Sequence, residues 1–225
     1  TTPLGTQGAQ VYADTPANAF GAVAVACAAA RLPLLAGIAL TASVACKFSG
    51  VVAILPVVAL VWTRSSDRVR SLLRLAAGVG SFASVLLIAF ARDLAAIFHG
   101  TVTYHVVSYA FNGFDARDKV GDWASTRAPY MYLVVIALVV TALRARRLWP
   151  LWLWPVSALL FLFWQKPLHD NHMLVMPYAF AGAAGPALGA SIAPLRRRAA
   201  AVAVAAVGVV LAAGFVQQLH WAGGL

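Results

Sequence analysis

Apolar residues fall in eight blocks along this chain, at 17–30, 32–46, 48–63, 72–91, 129–143, 148–165, 173–193 and 199–219, with short polar or basic turns between most of them. Leu72–Ala91, Met173–Ala193 and Ala199–Leu219 each run for about 20 residues with at most one charge, which is the length a helix needs to cross ~30 Å of hydrocarbon. The blocks nearer 15 residues cover only ~23 Å as helix. They must extend by a few residues, thin the bilayer locally, or surround a cavity open to water. The pattern predicts an all-α fold: a polytopic membrane helical bundle of about eight transmembrane helices, forming a single transmembrane domain over 1–225.

The polar turns test this assignment, because short cytoplasmic loops carry an excess of Lys and Arg. With residues 1–16 outside, the successive inside turns hold Arg31, then Arg64, Arg68, Arg70 and Arg74, then Arg144, Arg146 and Arg147, then Arg196, Arg197 and Arg198. That is 11 basic residues against one acid, Asp67. The outside segments hold six basic and six acidic residues and are neutral. Reading 32–63 as one kinked helix would put Arg31 and Arg64 on opposite faces, so two helices turning at Lys47 are expected.

The one long connection, 92–128, falls outside and exceeds a simple turn, which marks it as an extracytoplasmic loop of functional interest. Its first half, Leu94 to Phe114, mixes Phe98, His99, Tyr104, His105, Tyr109 and Phe111 with small polar residues, as a segment lying in the membrane interface does. Its second half, Asn112 to Arg127, has Gly113, Gly121 and alternating charges and reads as a mobile loop. No internal repeat or pair of similar halves is visible, which weakens the case for a transporter built from repeats.

Composition agrees with the pattern. The 225 residues are 62% hydrophobic and 11% charged, and the mean hydropathy is +0.82, far from the composition of a soluble domain. A net charge of +10 would suggest nucleic acid in a soluble protein, but here the basic residues sit in short clusters between apolar blocks, so no nucleic-acid partner is expected. Glu is absent and all seven acids are Asp. Cys27 and Cys46 lie near opposite ends of successive blocks and so near opposite leaflets, too far apart to bridge. Thr1 to Pro16 lacks the regions of a signal peptide, and the chain reads as a piece whose beginning lies upstream.

Three places concentrate chemistry. Asp14, in Val11-Tyr-Ala-Asp-Thr-Pro16, stands at the start of an apolar helix. It reads either as a helix cap or as a carboxylate able to act as a base or metal ligand at the membrane surface. Lys47 stands between two short apolar helices, either snorkelling to headgroups or meeting a phosphate, since a charge below the surface needs a partner. Lys166-Pro-Leu-His-Asp-Asn-His172 is the densest polar cluster. His169 and His172 can share a helical face, with a cation, a phosphate or a substrate as partner, or be ordinary interfacial imidazoles. His99 and His105 fit an aromatic interfacial face better, and His220 is incidental. The Arg clusters read as topology determinants and headgroup contacts, and Trp149, Trp152, Trp154, Trp164 and Trp221 as interfacial anchors.

The order of these features resembles the C-type superfamily of integral-membrane glycosyltransferases, in the branch of protein mannosyltransferases and lipid A aminoarabinose transferases. Tyr12-Ala-Asp-Thr-Pro16 is similar to that family's second acidic site. Gly37 through Lys47-Phe-Ser-Gly50 to Leu55-Pro56 is similar to its glycine-rich helix, lysine and following helix. Pro167-Leu-His-Asp-Asn-His172, running into Met176-Pro177, is similar to its late extracytoplasmic loop. The resemblance spans most of the chain, and no counterpart of the family's first acidic loop is present.

The resemblance implies transfer of a sugar from a polyprenyl-phosphate carrier to a lipid, glycan or protein acceptor on the outer face of a plasma (inner) membrane. Asp14 would be an acidic, catalytic active-site residue, the family's supposed main base belonging to its first acidic loop. Lys47, His105, Lys166, His169, Asp170 and His172 would line the substrate site, and cationic groups or a divalent metal would stabilise the lipid phosphate as it leaves. The alternatives are a transporter, which the scarcity of polar residues within the apolar blocks disfavours, and a noncatalytic membrane scaffold subunit.

Overall fold

The computed structural model describes residues 14–99, 116–126, 128–143, 145–165, 173, 175–194, 197, 199 and 201–209, and every regular element among them is helical. The helices are α1 (Asp14–Ala29), α2 (Pro33–Cys46), α3 (Ile54–Arg64), α4 (Arg68–Ala89), α5 (Leu94–Phe98), α6 (Ala116–Thr126), α7 (Ala128–Leu143), α8 (Leu153–Trp164) and α9 (Val175–Ile192). Short 3₁₀ segments at Phe48–Ala53 and Arg146–Trp152 lead into α3 and α8, and 201–209 is helical as well. Each of the eight apolar blocks therefore carries a helix; residues 210–219 of the last block lie outside the described residues. Two stretches, Arg68–Ala89 and Arg146–Trp164, are long and apolar enough to cross a membrane.

The chain sorts into two compact units, Thr1–Asn112 with Trp164–Val175 and Gly113–Phe163 with Met176–Leu225. In the first, α1 and α2 pack as a hairpin whose turn closes by hydrogen bonds from Arg31 N–H to Ala28 O (3.1 Å) and from Leu32 N–H to Cys27 O (2.8 Å). That double bond pattern requires a left-handed residue just past the helix, and Arg31 takes the position with φ 62° where glycine is usual. Pro33 then opens α2, where its missing N–H costs nothing. The inner stripe of α1 consists of Ala17, Gly21, Ala24 and Ala28, spaced three or four apart and small enough for close approach.

The block 48–63 does not begin as an α-helix. Gly50 rests on Ser43 so closely that a Cβ there would come within 2.5 Å of the Ser43 carbonyl carbon, and Pro56 cannot donate to the preceding turn. The chain is tightened into 3₁₀ form until α3 starts at Ile54. After α3, Asp67 caps α4 by accepting the Arg70 N–H at Oδ1 (3.0 Å). The lone acid among the inside arginines is therefore a helix cap.

α4 packs on α2 through glycines on both helices. A Cβ on Gly78 would collide with the Leu34 carbonyl oxygen, and one on Gly37 with the Leu75 carbonyl oxygen. Thr41 Oγ1 donates to Gly37 O (3.0 Å) and reaches Val79 O (3.5 Å) across the same crossing. Leu75 and Gly78 are the buried residues of α4, and the rest of its 22 residues lie partly or fully exposed, Ile88 to 79%.

In the second unit α7 packs on the 3₁₀ segment Arg146–Trp152, tied by Trp152 Nε1 donating to Thr141 Oγ1 (2.9 Å). Trp154 lies against Gly182 of α9, where any Cβ would strike the indole ring. Trp154 is 2% exposed, so it is a core residue and not the interfacial anchor expected of it; Trp149 and Trp164 stay more than half exposed. The stretch 112–127, read as a mobile loop, is helical over Ala116–Thr126, with Asp118 in the first turn where the helix dipole favours an acid. α5 keeps Leu94, Ile97 and Phe98 exposed, as an interface-lying segment would.

Candidate functional site

The α1/α2 hairpin has two chemically different ends. At the turn end, Arg64 Nη1 donates to Ala29 O (3.4 Å), beside Arg31, and the Arg68 guanidinium lies 5.0 Å over the Trp62 ring. Arg31 and Arg64 therefore share one end of this unit, as the charge alternation requires. The turn at Lys47 is real, with α2 ending at Cys46 and the chain reversing through the 3₁₀ segment. Cys27 and Cys46 belong to opposite ends of the hairpin, and both are free.

At the open end, Ser43 Oγ donates to Ala17 O (2.6 Å) and is fully buried, pinning the last turn of α2 to the first turn of α1. Asp14 precedes Ala17 by three residues and Lys47 follows Ser43 by four. Both therefore stand at this end, Asp14 as the first residue of α1 and Lys47 immediately after α2. Lys47 is half-buried, in extended conformation (φ −163°, ψ 144°), with its N–H on Ser43 O (3.3 Å) and its carbonyl accepting the Gly50 N–H (2.9 Å). Phe48 beside it packs on Trp164 with ring centroids 5.9 Å apart, and Ser49 is buried.

One further polar group lies nearby that the sequence reading passed over. Asn18, one helical turn after Asp14, is 3% exposed, and its Nδ2 has no hydrogen-bond partner among the described residues. Its signal in the sequence is faint: the one carboxamide in an otherwise apolar helix, four residues after an acid.

His105, Lys166, His169, Asp170 and His172 lie outside the described residues. His99 is exposed just after α5. Among the described residues no three His, Cys, Asp or Glu side chains come together to hold a metal ion.

The class of molecule this defines is an all-helical protein with two stretches fit to cross a membrane and a polar helix-pair end opposite an arginine-lined one. No protein-family model, no curated protein and no solved structure matches the chain.

Proposed function

We propose that this chain is a multi-pass integral membrane glycosyltransferase, which moves a sugar from a polyprenyl-phosphate carrier to an acceptor on the extracytoplasmic face of the plasma membrane. The observation that carries the reading is that α1 begins at Asp14 and α2 ends just before Lys47 at the same end of the α1/α2 hairpin, away from the arginine end. Exposure of α4 supports the membrane setting: a 22-residue apolar helix with two buried residues needs an apolar solvent on its other faces, which the lipid supplies. The other helices cross as shorter spans, and their small residues allow the close packing that lipid-embedded helices use.

The chemistry fits a carboxylate and an ammonium held at a common surface. The acceptor hydroxyl attacks the anomeric carbon as the bond from that carbon to the phosphate oxygen breaks with inversion. The hydroxyl proton passes to a carboxylate, for which Asp14 is the residue assigned, and the leaving phosphate keeps the bonding electron pair. The Lys47 ammonium balances the charge that develops on that phosphate. No step is assigned to a metal.

Transfer of labelled sugar from a polyprenyl-phosphate donor by the full-length protein tests this. D14N is expected to lose on the order of 10²-fold or more in rate, as removal of a general base does, while K47Q loses transition-state stabilisation and falls by roughly 10-fold or more. Undiminished transfer by D14N removes Asp14 from the mechanism. A wild-type protein that transfers nothing leaves the scaffold reading.

A further inference from the structure

We infer that Asn18 is a ligand-binding residue of the open end, its carboxamide donating to a phosphate oxygen of the bound substrate. The inference rests on the transferase reading and adds to it a residue that reads the phosphate. Three observations converge. First, Asn18 is 97% buried on α1, a helix that packs on α2, on the 3₁₀ segment Phe48–Ala53 and on α3, yet its Nδ2 has no partner among the described residues. A buried amide donor with nothing to donate to is a penalty that a native fold rarely keeps without a use. In a lipid-embedded helix pair no bulk water relieves it.

Second, its place is the open end. The neighbouring residue, Ala17, is the one bonded by Ser43, and side chains on an α-helix lean toward its N-terminus. The Asn18 amide is thereby directed back toward the end where Asp14 begins the helix and Lys47 ends the next one.

Third, the electrostatics at that end select an anion as the missing acceptor. The N-terminal end of α1 carries the positive pole of its dipole, and two full charges stand there, the Lys47 ammonium just after α2 and Asp14, the carboxylate assigned to the acceptor hydroxyl, as the first residue of α1. A phosphate supplies acceptor oxygens for a neutral donor, whereas a sugar hydroxyl would profit little from the dipole or the ammonium. The carboxamide is uncharged, so it binds without the desolvation cost of a second buried cation.

The test is binding of undecaprenyl phosphate to the full-length protein in detergent micelles, comparing wild type, N18L and N18D, with undecaprenol and inorganic phosphate as competitors. N18L fills the same volume without a donor. It is expected to bind undecaprenyl phosphate roughly tenfold more weakly while unfolding at the same or a higher temperature, since an unsatisfied amide has gone. N18D keeps the size but sets a carboxylate against the phosphate, and is expected to lose more than N18L. Competition by inorganic phosphate would make a soluble anion the ligand and undo the lipid-carrier reading while keeping Asn18 in its role. Binding by undecaprenol as tight as by its phosphate overturns the inference. So does equal binding by N18L and wild type, even when sugar transfer itself is intact. A drop in unfolding temperature in both variants with unchanged affinity of the folded fraction makes Asn18 a packing residue and also overturns it. Asn18-dependent phosphate binding with no sugar transfer under any donor sinks the transferase reading alone.

Discussion

Arg31 is the residue whose conformation departs furthest from its preference. A non-glycine side chain in the left-handed region costs roughly 1–2 kcal/mol, and the two hydrogen bonds of the α1–α2 turn hold it there. Replacement by glycine removes that strain but loosens the unfolded chain by roughly 0.5–1 kcal/mol, so the first effect wins narrowly. R31G is expected to raise unfolding stability in detergent by about 0.5 kcal/mol, and R31A to give no such gain; loss of stability in R31G would show that the turn is unstrained. Ser43 is the opposite case, a fully buried hydroxyl with good geometry to the Ala17 carbonyl. S43A is expected to cost about 1 kcal/mol, the net worth of such a bond. Because Ser43 also fixes the relation of α1 to α2, the same variant is expected to lower the rate of sugar transfer.

At the scale of elements, the α2/α4 crossing decides how the first unit holds together. Gly37 and Gly78 bring the two backbones into contact, and there is no room for even a methyl group on either. In a membrane, where apolar burial between helices adds little over lipid, such contact is a main source of association. G78V is expected to prise α4 from α2 and destabilise the protein by about 2–3 kcal/mol, as overpacking at a rigid site does. G80V is the control, since a side chain at Gly80 meets open space. Equal stability of the two variants would remove the crossing from the account.

For the whole molecule, sidedness of charge is what a topology must satisfy. The Arg64 bond to Ala29 and the stacking of Arg68 on Trp62 put Arg31, Arg64 and Arg68 at one end of the first unit, the end that the proposed topology assigns to the cytoplasm. In a variant with Cys27 and Cys46 replaced by serine, a cysteine at exposed Ser66 is expected to resist a membrane-impermeant maleimide in intact cells. One at exposed Ser125, in α6, is expected to react. Labelling of the Ser66 position would invert the topology and take Asp14 and Lys47 to the wrong side for an extracytoplasmic substrate.

Helical content, the order of the helical blocks and the break at Lys47 were legible from the order of residues alone, because each depends on local composition. A run of apolar residues folds as helix in any apolar medium, and charges mark where it must stop. Asp14 and Lys47 were found the same way, as ionisable groups at helix ends, and their shared end follows from two antiparallel helices of similar length. The helix at Ala116–Thr126 was missed because Gly121 and mixed charge resemble a loop where no apolar periodicity marks a helix. What only the tertiary structure decided is which of many small residues matter. Gly37, Gly50 and Gly78 are pressed against backbone while Gly80, Gly185 and Gly189 face open space. That difference belongs to the crossing of distant segments, as do the burial of Trp154 and the stranded donor of Asn18, and nothing in a residue's immediate neighbours encodes it.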